Sequence, residues 1–281
     1  MLSFYFQSKR NILDKNTIEE AIFLKKLKKL TLIIITLFSI LNLTTLETIA
    51  SDDLELNWYF VKRGDAKTPE QPKESQSFLS EYDGYYVGDT TSKVLYLTFD
   101  EGYENGNTPR ILDTLKEENV PAAFFVVKPY IKQEPDIVKR MVEEGHLVCN
   151  HTSHHPSMAS IKDSEKFKLE FSEVEDEYKA LIGEDMPKFF RPPMGKYSKN
   201  SLKQTKDLGY KTIFWSFAYK DWLVDNQPEE KAAIKKIVSG AHPGSIMLLH
   251  AVSNTNAKIL KDVIQELKSQ GYEFKSLNEL P

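Results

Sequence analysis

Seven side chains that could take part in catalysis stand at or just after short apolar segments of the sequence. They are Asp100, Glu101, His151, His155, Arg191, Asp221 and His250. If those segments are parallel strands, their carboxyl ends meet at one edge of the sheet, where α/β folds place their active sites. We therefore expect the seven side chains to converge on one site.

The histidines of HTSHH have the spacing of metal ligands. His151 and His155 are four residues apart, so one helical turn between them would place both imidazoles on the same face. His154 competes with His155 as the second ligand. Two imidazoles and one carboxylate, with positions left open to water, are typical of a catalytic metal site rather than a structural one.

The adjacent carboxylates Asp100 and Glu101 could divide two tasks between them. One could bind the metal, while the other accepts a proton from water that the metal has made more acidic. An acid pair at a helix N-terminus, favoured by the helix dipole, is the non-catalytic alternative. Arg191 is followed by two prolines that stiffen the chain, and its guanidinium could brace a carboxylate.

His250 ends the apolar run SIMLLH and needs a polar partner there. Asp221, after the fifth predicted strand, could supply it. A histidine oriented by an aspartate is a general acid that can protonate a leaving group. Trp222, next to Asp221, offers an apolar ring face of the kind that stacks on sugars.

Apolar or aromatic runs alternate with segments of helical periodicity from residue 94 onward. The runs are VLYLTFD (94–100), AAFFVV (122–127), HLVCNH (146–151), KFFRPP (188–193), KTIFWSF (211–217), SIMLLH (245–250) and YEFKSL (272–277). Such alternation predicts a parallel sheet covered by helices. An open doubly wound sheet and an incomplete barrel both fit seven units, and because no GxGxxG or GxxxxGK[ST] fingerprint is present, we favour the barrel.

The chain divides into three predicted regions. Residues 1–50 form a leader in which the basic LKKLKKL precedes the uncharged TLIIITLFSILNL. That order is typical of a signal peptide, cleaved after Ala50, or of a retained membrane anchor. Residues 51–92 contain KTPEQPKES and are predicted to be a linker and N-terminal extension. Residues 93–281 then form the catalytic domain, which is secreted or membrane-anchored and extracytoplasmic.

Composition excludes two other classes of protein. The 281 residues carry a formal net charge of -4, so the chain lacks the basic footprint of a nucleic-acid-binding protein. Cys149 is the only cysteine, which excludes an intramolecular disulfide framework.

The motifs TFDEG, HTSHH, RPPMG, KDW and LLH, in this order, resemble the five motifs of the polysaccharide deacetylase family with its NodB homology domain. The resemblance covers residues 93–280. It implies a distorted (β/α)7 barrel and metal-dependent removal of N- or O-acetyl groups from glycans. Zinc is the expected ion, with cobalt, manganese or magnesium as alternatives.

The resemblance also implies a role for each matching residue. Those roles are catalytic base for Asp100, metal ligands for His151 and His155, brace of the base for Arg191, catalytic acid for His250 tuned by Asp221, and oxyanion donor for the Met194 backbone N–H. Glu101 departs from the pattern, because most of the family has aspartate there as the third metal ligand. The longer glutamate either binds the metal from a shifted position or points away from it.

Longer stretches, such as YYVGDTTSKVLYLTFDEGYENG and AHPGSIMLLHAVSNTNA, resemble the delta-lactam-biosynthetic de-N-acetylases of spore-forming bacteria. This implies action on N-acetylmuramic acid in peptidoglycan strands from which an N-acetylmuramoyl-L-alanine amidase has removed the peptide. The free amine then closes on the lactyl carboxyl as the muramic delta-lactam of spore cortex, and the enzyme would work in the cell wall or forespore intermembrane space. A deacetylase of N-acetylglucosamine in peptidoglycan or chitin is the nearest alternative, and a non-catalytic glycan-binding module is a second.

Overall fold

The computed structural model describes residues 22–36, 52–64 and 66–281. The chain forms two compact units, Met1–Asp52 and Asp53–Pro281. In the first unit, residues 22–36 form helix α1, whose apolar side chains are exposed. Among the helices of the described residues, none combines the length and apolar character needed to cross a bilayer. The predicted cleavage site after Ala50 and the rest of the leader lie outside the described residues.

The second unit contains ten strands among its described residues. They are β1 (Leu56–Asn57), β2 (Gly84–Tyr85), β3 (Val94–Glu101), β4 (Ala122–Val126), β5 (Leu147–Asn150), β6 (Phe189–Phe190), β7 (Lys196–Tyr197), β8 (Lys211–Ile213), β9 (Ser245–His250) and β10 (Glu273–Phe274). Each of the seven predicted runs contains one of these strands, so the predicted sequence of strands is confirmed.

Helices connect the strands as the periodicity predicted. They are α2 (Thr108–Glu117), α3 (Lys128–Gln133), α4 (Pro135–Glu143), α5 (Ser164–Ile182), α6 (Lys199–Asp207), α7 (Glu230–Gly240) and α8 (Asn254–Ser269). The ends of α5 show how the local sequence sets their bounds. The Asp163 carboxylate accepts hydrogen bonds from the first-turn N–H groups of Glu165 and Lys166, and Gly183 ends the helix with φ 87°, a conformation that costs glycine little.

The main sheet is parallel and curls on itself. Its order is β10-β3-β4-β5-β6-β8-β2, and β9 also pairs with β3. The chain just after β8 meets β9 through a parallel bridge between Phe217 and Met247, which brings the two sides of the sheet together. The predicted α/β class and barrel-like closure are confirmed by this arrangement.

Side chains of β3 alternate between two apolar regions, as the pleat of a strand requires. Leu95 and Leu97 belong to the large cluster that packs the sheet against its helices, which includes Leu112 of α2. Val94 and Tyr96 belong to the cluster inside the curl. Residues of even number in β3 therefore face the inside of the barrel, and residues of odd number face the helices.

Residues 53–64 and 66–92, where the sequence predicts a linker and N-terminal extension, pack against the rest of the second unit. β1 pairs antiparallel with β7, and β2 adds a parallel strand to β8. Trp58 stacks on Phe214, with ring centroids 4.1 Å apart, and its indole Nε1 donates to the carbonyl of Trp215 at 2.9 Å. These long-range contacts make the segment part of the compact unit, and strands of two residues carry no periodicity that would predict them.

Candidate active site

A pocket of about 780 Å³ opens at the carboxyl ends of β3, β5 and β9. Six residues that the sequence singled out line it: Asp100, His151, His155, Met194, Trp222 and His250. Arg191 and Asp221 lie buried beneath this lining, in contact with Asp100 and His250 respectively. The expected convergence on one edge of the sheet therefore holds for these eight residues.

Asp100 is an ionised carboxylate held from one side by an arginine. Its Oδ1 accepts a hydrogen bond from Arg191 Nη1 at 2.7 Å, and its Oδ2 lies 3.7 Å from His151 Nε2. Burial raises the pKa of Asp100, but the positive charge of Arg191, with smaller contributions from His151 and His250, holds that pKa below its ordinary value. Oδ2 is thus the oxygen that remains available to accept a proton.

Arg191 is fully buried, and each of its donor groups has a partner. Besides Asp100, Nη2 donates to Thr98 Oγ1 at 2.8 Å and Nε donates to the Ile213 carbonyl at 3.1 Å. The guanidinium also lies over the ring of Phe125, 4.2 Å from its centroid. A buried charge with so many partners is fixed in place, and the Asp100 carboxylate is fixed with it.

The two predicted histidine ligands meet in a loop, not on the expected helical turn. Thr152 and His155 adopt left-handed backbone conformations, with φ of 74° and 58°. The Asn150 side chain accepts from the Thr152 N–H, and Thr152 Oγ1 accepts from the His155 N–H, both at 2.9 Å. These side chain to backbone bonds replace helical bonding, and the ring centroids of His151 and His155 lie 4.9 Å apart.

His154, the alternative second ligand, turns to a different partner. It is exposed, and its Nδ1 lies 2.9 Å from Glu170 Oε1, while its backbone N–H donates to Glu170 Oε2 at 2.9 Å. Since His155 lines the pocket and His154 does not, the geometry favours His155.

The imidazole of His151 presents one nitrogen to the pocket. Its Nδ1 lies 2.8 Å from the Arg191 carbonyl, so Nδ1 carries the hydrogen and Nε2 keeps a lone pair. Burial lowers the pKa of His151 to about 4 and also lowers that of His155. Both rings are therefore neutral at neutral pH, which is the form that binds a metal.

His250 and Asp221 form a tightly held pair. The Asp221 carboxylate accepts from His250 Nδ1 at 2.7 Å and from the His250 backbone N–H at 2.9 Å. Burial lowers the pKa of His250, but the hydrogen bond and charge of Asp221 outweigh burial and raise that pKa above its ordinary value. His250 is thus suited to carry a proton at neutral pH and release it to a substrate.

Asn256, at the beginning of α8, completes this pair and was not singled out from the sequence. Its buried amide nitrogen donates to Asp221 Oδ2 at 2.6 Å and to the His250 carbonyl at 3.2 Å. Its amide oxygen accepts from the Tyr219 hydroxyl. A lone asparagine in the first turn of a helix carries no signal in the sequence, because only the fold brings Asp221 to it.

Met194 and Trp222 are exposed at the mouth of the pocket. The Trp222 ring meets the ring of His250 edge to face, with centroids 5.4 Å apart. Met194 has φ 58° in the turn Pro193–Gly195, and within the described residues its backbone N–H makes no hydrogen bond. That N–H is free to donate to a ligand, as the oxyanion role requires.

Glu101 does not lie with the histidines at the pocket. As an odd-numbered residue of β3 it faces the helices and does not line the pocket. Oε1 accepts from Thr108 Oγ1 at 3.4 Å, and Oε2 has no hydrogen-bond partner among the described residues. Burial, with repulsion from Glu104, raises the pKa of Glu101 well above its ordinary value. Of the two alternatives for this glutamate, the structure favours the one in which it points away.

A metal at this site would therefore be held mainly by two imidazoles. Among the described residues, no group of three or more His, Cys, Asp or Glu side chains is arranged to hold an ion. The fixed tautomer of His151 and the neutral state of both rings nevertheless fit a divalent cation of the zinc type. We conclude that the residues fit a metal with two protein ligands and positions open to water or substrate.

Aromatic residues of the N-terminal segment also line the pocket, which the sequence did not predict. Trp58, Tyr59 and Phe60 form part of its wall beside Trp215. The Trp58 backbone N–H donates to the Gly195 carbonyl at 2.7 Å, so the segment is tied to the turn that carries Met194.

The pocket has side chains of the kind that hydrolysis needs, since a carboxylate (Asp100) and an imidazole (His250) face it from two strand ends. Residues 87–213 match the polysaccharide deacetylase family. The chain is 43% identical over 225 residues to the peptidoglycan-N-acetylmuramic acid deacetylase PdaA of Bacillus subtilis, covering 80% of this chain and 85% of PdaA. It therefore belongs to the polysaccharide deacetylase family.

Two further similarities support this assignment. The solved structure of Bacillus subtilis PdaA, described as a family 4 carbohydrate esterase, superimposes with a TM-score of 0.78 at 42% identity, covering 81% of this chain and 97% of that one. The peptidoglycan-N-acetylglucosamine deacetylase PgdA of Listeria monocytogenes is 36% identical over 68% of this chain and 39% of its own length. The family and the fold predicted from the motifs are confirmed.

Proposed function

We propose that this protein hydrolyses the N-acetyl group of N-acetylmuramic acid residues in peptidoglycan strands. The observation that carries the proposal is the 43% identity to PdaA across most of both chains, joined to a pocket that holds a base and an acid. The products are acetate and a glycan with a free amine on the muramic acid. Because peptidoglycan lies outside the cytoplasm, we infer that the catalytic unit works there, secreted or membrane-anchored, in the cell wall or forespore intermembrane space.

Each residue of the site has a place in this reaction. His151 and His155 would hold a divalent ion, and such an ion would supply Lewis-acid chemistry at this site. Asp100, fixed by Arg191, accepts the proton of the attacking water through Oδ2. The Met194 N–H donates to the oxyanion that forms on the acetamide carbonyl. His250, oriented by Asp221, donates its proton to the departing amine.

The amine that is released lies next to the lactyl carboxyl of the same sugar. Nitrogen and carboxyl carbon can form a cyclic amide with loss of one water, which is the muramic delta-lactam. We infer that an amidase acts earlier, because a lactyl carboxyl that still carries its peptide is already an amide and cannot close in this way.

Mass spectrometry of peptidoglycan provides the test. Glycan strands treated with an N-acetylmuramoyl-L-alanine amidase are incubated with the full-length protein, with and without a chelator. We expect muramic acid to lose the mass of one acetyl group, the loss to stop with chelator, and a divalent ion to restore it. Adding zinc, cobalt, manganese and magnesium in turn identifies the ion.

Other outcomes separate the alternatives. A mass change on glucosamine alone would overturn the proposal in favour of the N-acetylglucosamine deacetylase, the activity named for the Listeria relative. No change on either sugar, with retained binding to the glycan, would favour a binding module. Turnover that chelator leaves intact would contradict the metal's role.

A further inference from the structure

The pocket offers a single lysine or arginine to a bound molecule. Among the described residues that line it, Lys220 is the only one of these types. The side chain is exposed, and its ammonium makes no hydrogen bond or ion pair with any residue in the described part of the chain. A cation without a partner in a binding pocket can pair with an anion of the ligand.

The acidic and histidine side chains that line the pocket already have a protein partner or a proposed role in holding the metal. Asp100 is an anion paired with Arg191 below the pocket floor. His151 and His155 are the proposed metal ligands, and the Nδ1 of His151 lies 2.8 Å from the Arg191 carbonyl. His250 is charged only as the partner of Asp221, 2.7 Å away. Apart from the metal that His151 and His155 would hold, Lys220 is therefore the one cation among the described lining residues that no protein anion neutralises.

The proposed substrate brings a negative charge into this pocket. In muramic acid the acetamide stands on C2 and a lactyl ether with a carboxylate stands on the adjacent C3. When the acetamide carbonyl faces Asp100, the lactyl carboxylate must lie in the same pocket, within the range over which two carboxylates repel each other. N-acetylglucosamine has a hydroxyl at C3 and brings no such charge.

The backbone of Lys220 is fixed by its two neighbours. Tyr219 is buried and bonds through its hydroxyl to Asn256, and Asp221 is buried beneath His250. Lys220 therefore stands beside the Asp221–His250 pair, and it is an exposed residue of the pocket lining. Resting on the proposed function, we propose that Lys220 determines specificity by pairing with the lactyl carboxylate of muramic acid.

Substitution of Lys220 tests this role. Kinetics are measured with three glycans: peptide-free muramic acid strands, the same strands with the lactyl carboxylate converted to its methyl amide, and N-acetylglucosamine oligomers. Lys220→Met is expected to lower kcat/KM about tenfold on the carboxylate substrate, through KM, because a solvent-accessible ion pair contributes to binding rather than to the chemical step. Its kcat/KM on the other two glycans should change less than about twofold.

Two further variants control the experiment. Lys220→Arg keeps the charge and should retain most of the activity on the carboxylate substrate. Lys235→Met removes a positive charge from an exposed position on α7, outside the pocket, and should behave as the wild type. Because Lys220 is exposed, thermal melting should show that Lys220→Met still folds.

The failure of this inference is distinct from the failure of the proposed function. If wild-type protein removes no acetyl group from muramic acid, the proposed function is wrong, and the inference about Lys220 that rests on it is overturned as well. If wild type is active but Lys220→Met lowers kcat/KM equally on charged and amidated strands, or on neither, the function stands and the role of Lys220 is overturned.

Discussion

The two faces of β3 at its carboxyl end hold neighbouring carboxylates in opposite electrostatic environments. Asp100 faces the inside of the barrel, where Arg191 lies 2.7 Å from it and lowers its pKa. Glu101 faces the helices, where burial and the nearby Glu104 raise its pKa. Asp100 and Glu101 are adjacent in the sequence, yet their environments differ because successive side chains of a strand point to opposite faces.

Asp100 is placed to take part in catalysis, whereas Glu101 contributes to the packing of helices on the sheet. Asp100 lines the pocket and is ionised, so it can take up a proton. Glu101 contacts Thr108, whose hydroxyl also receives a hydrogen bond from Tyr130, and these are groups that pack α2 and α3 against the sheet. Two adjacent acids at the end of a strand therefore do not imply two acids in one site.

Asp100→Asn should produce the largest loss of activity. Asparagine keeps an oxygen for Arg191 but cannot accept a proton as a base, so we expect acetate release to fall about 10³-fold. Acetate is measured on amidase-treated strands, with circular dichroism to show that the fold remains. Turnover close to that of the wild type would exclude Asp100 as the base.

His250→Gln should give the next largest loss. Glutamine can still bond to Asp221 but cannot protonate the leaving amine, so kcat should fall about 10²-fold or more. In the wild type, kcat should decline as pH rises through the pKa of His250, which lies above the ordinary value of 6.5, because the acid must carry its proton. That alkaline decline should vanish in the variant.

His154→Gln is the matched control for this histidine. His154 is exposed, contacts Glu170 and does not line the pocket. Its substitution should leave both kcat and the pH profile unchanged. A loss comparable to that of His250→Gln would mean that His154, and not His155, is the second functional histidine of HTSHH.

Much of this arrangement was predictable from local sequence. The seven strand runs and their helices follow from periodicity, and the rule that parallel strands meet at one edge brings Asp100, His151, Arg191 and His250 together. The alternation of side chains along β3 would also have placed Asp100 and Glu101 on opposite faces of the strand. The departure of Glu101 from the family motif was visible, and the pleat decides between its two alternatives.

Other features depend on contacts that local sequence does not encode. β1 and β2 have two residues each and exist because β7 and β8 accept them. The loop of His151 and His155 depends on hydrogen bonds that the side chains of Asn150 and Thr152 accept from backbone N–H groups, and these bonds replace the expected helical turn. Such features follow from tertiary packing, which overrides weak local preferences.

Asn256→Ala should have a moderate effect, since this residue acts through Asp221. Removing the amide deprives the Asp221 carboxylate of one of the three hydrogen bonds that described residues donate to it, and it removes the donor to the His250 carbonyl. We expect kcat to fall about tenfold with KM unchanged, because the acid is misplaced while the glycan still binds. Asn254→Ala, exposed on the same helix, is the control, and an equal loss there would point to general damage to α8.

Glu101→Gln should have the smallest effect on activity and the clearest effect on the pH dependence of stability. Glutamine reproduces the shape of the protonated acid, so acetate release and its dependence on divalent ion should stay within about twofold of the wild type. A large loss of metal affinity, measured by titration calorimetry, would mean that Glu101 is a metal ligand. That result would contradict the difference between Glu101 and Asp100.

The pH dependence of stability should distinguish the wild type from Glu101→Gln even where activity does not. Because the folded-state pKa of Glu101 is raised, the folded protein holds a proton that the unfolded chain releases above its ordinary pKa. The contribution of Glu101 is therefore fully present below that ordinary value, and it is lost as pH rises through the folded-state pKa. Thermal melting across this range should show a decline in the wild type that Glu101→Gln flattens. An identical decline in both proteins would mean that Glu101 is ionised in the fold, like its neighbour.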